Sequence, residues 1–207
     1  MQKRNFYDLC DIIEKLRAPG GCPWDREQTH QSLRKHMIEE AYEAAEAFDS
    51  GVPTKMADEL GDVLLQVVLH AQIGKESGEF TIDDVTEAVC EKMVVRHPHI
   101  FGSVSAETSE QVLSNWEEIK RRERGGQSVS DSMESVSKAL PILTRSEKIY
   151  KKATKAGCTT LPEDDSPGRA LFEEMTRLVD RGLDPEEEIG KYLNKFINFF
   201  KKFEENT

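Results

Sequence analysis

Apolar residues in the first half of the chain recur at helical spacing. Leu9, Ile12, Ile13 and Leu16 mark a first helix over Phe6 to Arg17, ended by the breaker Ala18-Pro19-Gly20-Gly21. The loop Cys22-Pro23-Trp24-Asp25 leads into a second helix, predicted from about Thr29 to Phe48 and closed by Asp49-Ser50-Gly51. Pro53 suits the first turn of a third, which runs to about Glu76 before Gly78 and carries Met56, Leu60, Leu64, Val67, Val68 and Ala71 on one stripe. Thr81 is placed to cap a fourth helix to about His97, and Thr108 with Gln111 forms a capping box for a fifth, to about Arg124.

The segment GGQSVSDSMESVS, residues 125–137, is rich in Gly and Ser and lacks helical periodicity, so it reads as a linker. The expected organisation is a catalytic domain over 1–125, a linker over 126–137 and a second helical domain over 138–207. That second domain is expected to hold three helices, over Ile142 to Ala156 and from starts at Ser166-Pro167 and Asp184-Pro185. The fold class is all-α.

Composition narrows the function. Charged residues make up 32% and the net charge is -11, which disfavours a broad grip on nucleic acid or an anionic membrane. No window resembles a membrane span or a signal peptide, so a cytoplasmic location is expected. Cys10, Cys22, Cys90 and Cys158 form no CxxC pair and read as reduced thiols.

The chemistry lies in the acids. Glu39, Glu40 and Glu43 make the pattern EExxE on the second predicted helix, and Glu59 and Asp62 make ExxD on the third. Residues three apart share a helical face, and a short connection of about five residues makes the two helices antiparallel neighbours. A helical hairpin then opposes the pair Glu40 and Glu43 to the pair Glu59 and Asp62. One Glu alone is ordinarily just solvated, but four carboxylates gathered together repel unless a cation sits among them. Hard oxygen donors select Mg²⁺, Mn²⁺ or Ca²⁺.

The pattern EExxE, then ExxD after an interval of fifteen residues, resembles the metal signature of MazG-type pyrophosphohydrolases. The stretches GGCPWDREQTHQSLRKHMIEEAYE, DELGDVLLQVVLHA, EKMVVRHPHIFG and NWEEIKRRE look like the blocks of a MazG domain, over about residues 5 to 125. The resemblance implies a compact helical bundle completed by dimerisation, and hydrolysis of nucleoside triphosphates to monophosphate and pyrophosphate, plausible as nucleotide-pool housekeeping. It puts Glu40, Glu43, Glu59 and Asp62 on metal-ligand positions for Mg²⁺, with Mn²⁺ as a substitute, and gives Glu39 an outer-shell or water-orienting role. Lys55, Lys92, Arg96, Trp116 and Lys120 fall on positions that contact phosphate or base. Trp116 is suited to stack on a base, although an indole also serves as a bundle filler, and Lys55 also suits a simple helical ion pair with Glu59.

Of the histidines, His36 lies one turn before Glu40 and is a candidate to hydrogen-bond a ligating carboxylate. His97 and His99 bracket Pro98 with no third ligand nearby, which favours a structural loop over a zinc site. The second half looks like a shortened copy of the same domain. Glu173 and Glu174 remain, but Leu178 stands near the place of the third acid, no ExxD helix follows, and Phe199 replaces the Arg expected four residues after Lys195. Its metal site is expected to be lost, and Phe196, Phe199, Phe200 and Phe203 suggest core or subunit contact. Rival readings are a narrower dUTPase or dCTP pyrophosphatase, a non-catalytic interaction module, and a ferritin-like di-iron bundle, whose pair of ExxH motifs the sequence does not supply.

Overall fold

Cap chemistry sets where the elements begin in the computed structural model, which describes residues 4–123 and 125–205. Two compact units divide between Trp116 and Glu117. The first holds helices α1 (Phe6–Arg17), α2 (Pro23–Glu27), α3 (His30–Ser50), α4 (Pro53–Ser77), α5 (Ile82–Arg96) and α6 (Pro98–Phe101). Helix α7 (Ser109–Glu123) crosses the division, and the second unit continues with α8 (Val129–Glu134), α9 (Ile142–Lys155), α10 (Pro167–Asp180) and α11 (Pro185–Glu205). Among the described residues every regular element is helical.

The hairpin α3–α4 positions the acids. Thr29 accepts the Ser32 amide while the Ser32 hydroxyl accepts the Thr29 amide, so α3 starts with a reciprocal cap. It runs two residues past the expected end, to Ser50, and stops at Gly51, whose φ of 66° few other residues adopt. Pro53 then opens α4, leaving only Gly51 and Val52 between two long helices. The core beneath them joins Ile13 of α1, Leu33 of α3, and Val68 and Leu69 of α4, with Leu33 wholly buried. Helix α1 covers the C-terminal part of α4 alone, so the expected apolar stripe is only partly buried. Val68 and Ala71 are inside, whereas Leu60 and Leu64 are 49% and 39% exposed. Gly74 lets Phe80 lie on α4, since a Cβ there would stand 2.8 Å from the ring.

Arg17 ties three elements together. Its guanidinium is buried and donates to Glu76 at 2.8 and 3.0 Å, and to the Asp25 and Gln28 carbonyls. The Arg17 hydrogen bonds hold the Glu76 carboxyl below its usual range. A carboxylate depressed in the folded state contributes stability that is present above its unfolded pKa and lost as pH falls through the folded one. Arg17→Met is expected to cost about 2 kcal/mol at neutral pH, toward the low end for a buried pair because Glu76 is partly solvated. Urea unfolding of both chains checks this. The gap between them should narrow as pH drops through the Glu76 titration, and a gap constant with pH would count against the ion pair.

Four expectations change in the structure. The division falls inside α7, ahead of the boundary expected at residue 125. The expected linker over 126–137 contains α8, whose first turn is closed by a capping box between Ser128 and Asp131, a device too short to show periodicity. The Trp24-Asp25 loop is likewise a helical turn, opened by Pro23. The Thr108 capping box is also altered: Thr108 accepts the Gln111 amide, but the Gln111 side chain accepts from Glu107 instead. The expected end of that helix, Arg124, lies outside the described residues.

The second unit packs Val136, Tyr150 and Met175 into its own small core. The Tyr150 hydroxyl donates to the Asp180 carboxylate at 3.0 Å, joining α9 to the end of α10. Arg177 forms ion pairs with both Glu173 and Glu174 on its own helix. Phe196, Phe199, Phe200 and Phe203 of α11, expected in core or subunit contact, are all exposed on the single chain.

Candidate metal and nucleotide site

Carboxylate oxygens of Glu40, Glu43 and Glu59 lie within 4.8 Å of one another across the α3–α4 hairpin. Glu40 and Glu59 are half-buried, and Glu43 is exposed. Asp62, the fourth expected acid, is not among these three, but it acts electrostatically on both Glu40 and Glu59. Burial, and then Asp62, Glu43 and Glu59, hold the Glu40 carboxyl above its ordinary range. Glu59 is raised by the same causes, with burial first, then Glu43 and Asp62. Asp58 and Glu46 add to the charge around Glu59. Both could be found in the sequence, since Asp58 precedes Glu59 and Glu46 follows Glu43 by three residues.

This arrangement fits a hard divalent cation. Oxygen donors from two facing helices converge, each disfavours ionisation of the others, and bound positive charge relieves that repulsion. His36 does not hold a ligating carboxylate as the sequence suggested. Its Nδ1 lies 3.0 Å from Glu39 Oε2, because the i,i+3 spacing puts Glu39 within reach. Glu39 is not one of the three clustered acids.

The cationic residues divide into two places. The Arg96 guanidinium lies 5.5 Å from the centre of the Trp116 ring, and His97 packs edge-on against that ring at 4.9 Å. His97 Nδ1 meets the Met93 carbonyl at 2.6 Å, which fixes the imidazole and favours the structural reading of this loop. Lys92 is exposed one turn before Arg96 on α5, and Lys55 is exposed one turn before Glu59 on α4. Lys120 lies in the second unit, where it lines a cavity with lysines of α9. Trp116 and Lys120 stand one turn apart on α7, and Arg96 stacks on Trp116.

One contact had no sequence signal. His30 and His70 bring their Nδ1 atoms to 2.7 Å with the rings parallel, and burial followed by His30 lowers the His70 pKa. Forty residues separate them, so only the packed hairpin brings them together.

A domain described as the MazG nucleotide pyrophosphohydrolase domain matches residues 28–101, which contain every acid of the cluster but neither Trp116 nor Lys120. An uncharacterized protein of Bacillus subtilis, YabN, is 55% identical over 146 residues, covering 70% of this chain and 30% of that protein. The nucleoside triphosphate pyrophosphohydrolase/pyrophosphatase MazG of Thermotoga maritima is 39% identical over 224 residues, covering 97% of this chain and 86% of the relative. The nucleoside triphosphate pyrophosphohydrolase of Escherichia coli is 37% identical over 198 residues, covering 92% and 75%.

Proposed function

The chain belongs to the MazG family of nucleotide pyrophosphohydrolases, and from that premise we propose that it hydrolyses nucleoside triphosphates to monophosphate and pyrophosphate with Mg²⁺ held by Glu40, Glu43, Glu59 and Asp62. The convergence of three carboxylates within 4.8 Å on facing helices carries this reading. When bound, Mg²⁺, or Mn²⁺ in its place, activates the attacking water and offsets charge on the phosphate oxygens. In this reading Glu39, which pairs with His36, accepts a hydrogen bond from that water. Lys55, Lys92 and Arg96 neutralise the triphosphate and the departing pyrophosphate. Trp116, with one face near Arg96, offers a surface on which a base stacks. We place the activity in cytoplasmic nucleotide-pool housekeeping.

Isotope position tests the bond that breaks. In ¹⁸O-labelled water with Mg²⁺ and a panel of triphosphates, the label is expected in the nucleoside monophosphate, with unlabelled pyrophosphate. Label in orthophosphate beside a diphosphate product would replace this reading with a γ-phosphatase. The same panel separates broad hydrolysis from a dUTPase-like or dCTP-restricted enzyme.

The same proposal includes a homodimer. Four phenylalanines on α11, each between 47% and 64% exposed, form more apolar surface than a small unit ordinarily leaves open. A second copy is the simplest closed solution. Sedimentation at micromolar concentration is expected to give twice the monomer mass or a multiple of it, and a strictly monomeric, fully active chain would overturn the assignment.

A further inference from the structure

Among the described residues, one side-chain hydrogen bond joins α3 to α4, between His30 Nδ1 and His70 Nδ1 at 2.7 Å. The two rings are parallel to within 3°, and their centres stand 5.0 Å apart, which is the Nδ1–Nδ1 distance extended by one ring radius at each end. They therefore meet edge to edge in one plane, each Nδ1 aimed at the other, as a single N–H···N bond requires. His30 precedes Glu40 by ten residues and His70 follows Glu59 by eleven, so this contact and the acids occupy levels about 15 Å apart along the same antiparallel seam.

The far side of His30 decides where the hydrogens sit. Its Nε2 is buried without a partner, and Phe80 stands beside the ring at 5.8 Å between centres. A buried N–H with no acceptor is the costlier orphan, so His30 carries its hydrogen on Nδ1 and donates, and His70 carries its own on Nε2. A further proton then has two kinds of place. Either His30 Nε2 gains a hydrogen where no acceptor stands, or both Nδ1 atoms carry hydrogen and confront each other across 2.7 Å. Neither fits the closed pair.

We propose that His30 and His70 form a proton-sensitive latch on the α3–α4 hairpin, closed while the pair is neutral and released when it takes up a proton, which frees the first turns of α3 from α4. Burial, and then His30, hold the His70 imidazole below its ordinary value, in line with this geometry. An imidazole depressed in the folded state contributes stability that is whole above its unfolded pKa, about 6.5, and is lost as pH falls from there through the folded one. The latch therefore works in mildly acidic solution. Other charges nearby are directed elsewhere. Arg34, one turn after His30, and Glu79, next to Phe80, are exposed. From α1, Glu14 pairs with Lys75 and Arg17 with Glu76, while on α5 Asp83 acts on Cys10 and Asp84 is held by Thr81. The residues one turn to either side of His70 are Gln66, Val67, Ile73 and Gly74, none of which titrates. The proposal goes beyond the catalytic reading and stands without it.

Imidazole ¹⁵N NMR and amide hydrogen exchange of the full chain in EDTA test it, at about pH 7.5 and about pH 5.5 with exchange corrected for intrinsic rates. At the higher pH the ring nitrogens are expected to show His30 with its hydrogen on Nδ1 and His70 with its hydrogen on Nε2. Protection of amides in the first half of α3 is expected to drop by up to about tenfold at the lower pH, the limit for one histidine whose unfolded pKa is about 6.5. In His30→Gln, whose amide takes up no proton, the drop should shrink to about twofold or less. His70→Gln should behave alike, and decides the matter if circular dichroism shows that His30→Gln has not folded. The carboxylates titrate in wild type and variants alike, so the difference between them isolates the pair. A drop as large in the folded variants as in wild type, or a His30 ring with its hydrogen on Nε2 at the higher pH, would overturn the proposal.

Discussion

Glu59→Gln or Asp62→Asn is expected to lower turnover roughly a thousandfold or more at saturating Mg²⁺, because the proposed ion both activates water and offsets phosphate charge. The helices should persist. Neither residue is needed for the core, which gathers around Leu33, Ile13, Val68 and Leu69. A less obvious effect should accompany the loss. The Glu59 carboxyl is held above its usual range by burial, Glu43 and Asp62, so its folded pKa exceeds its unfolded one. A group shifted in that direction stabilises the fold below its unfolded pKa and loses that contribution as pH rises through the folded value. Near pH 7 in EDTA the ionised cluster is therefore a cost, and Glu59→Gln should raise the melting temperature by a few degrees. Turnover assays in Mg²⁺ and thermal melts in EDTA make the check. A variant that keeps near wild-type rate would end the metal-site assignment, whatever its melting temperature.

Leu33→Ala should have the largest effect on stability. Leu33 is wholly buried, and truncation removes its transfer free energy and leaves a cavity, together costing about 3 kcal/mol. The site should feel that loss. Leu33 lies seven residues, two turns, before Glu40 on α3, so one face of the helix carries both the core contact and a proposed ligand. With the hairpin loosened, divalent-ion affinity should fall along with the denaturation midpoint. Urea unfolding with and without Mg²⁺ measures both. A midpoint within about 1 kcal/mol of wild type would show that the core collapses around the gap.

Much of this site was legible in the chain because its logic is local. Spacings of three residues within EExxE and ExxD place carboxylates on one face, and Gly51 with Pro53 announces the tight turn that opposes them. Helix ends followed caps that can be read by eye, such as Thr81 with Asp84. What escaped depends on distant partners. Arg17 looks like any terminal basic residue until Glu76, 59 positions away, meets it, and His30 gives no sign of His70. The exposed Leu60 and Leu64 show another limit. An apolar stripe identifies a face to be covered, but not how far the neighbouring helix extends over it.

The clasp of Arg177 on Glu173 and Glu174 bears on attempts to engineer a second metal centre. Grafting an ExxD pair onto α11 would supply opposing carboxylates, yet the acids of α10 would still have their oxygens turned to a guanidinium that already provides half the charge a divalent ion would bring. A working graft must remove Arg177 as well, and its removal leaves Glu173 and Glu174 adjacent and uncompensated until metal arrives. The engineered unit would then depend on divalent ions for its stability, where the natural one has its countercharge built into the helix.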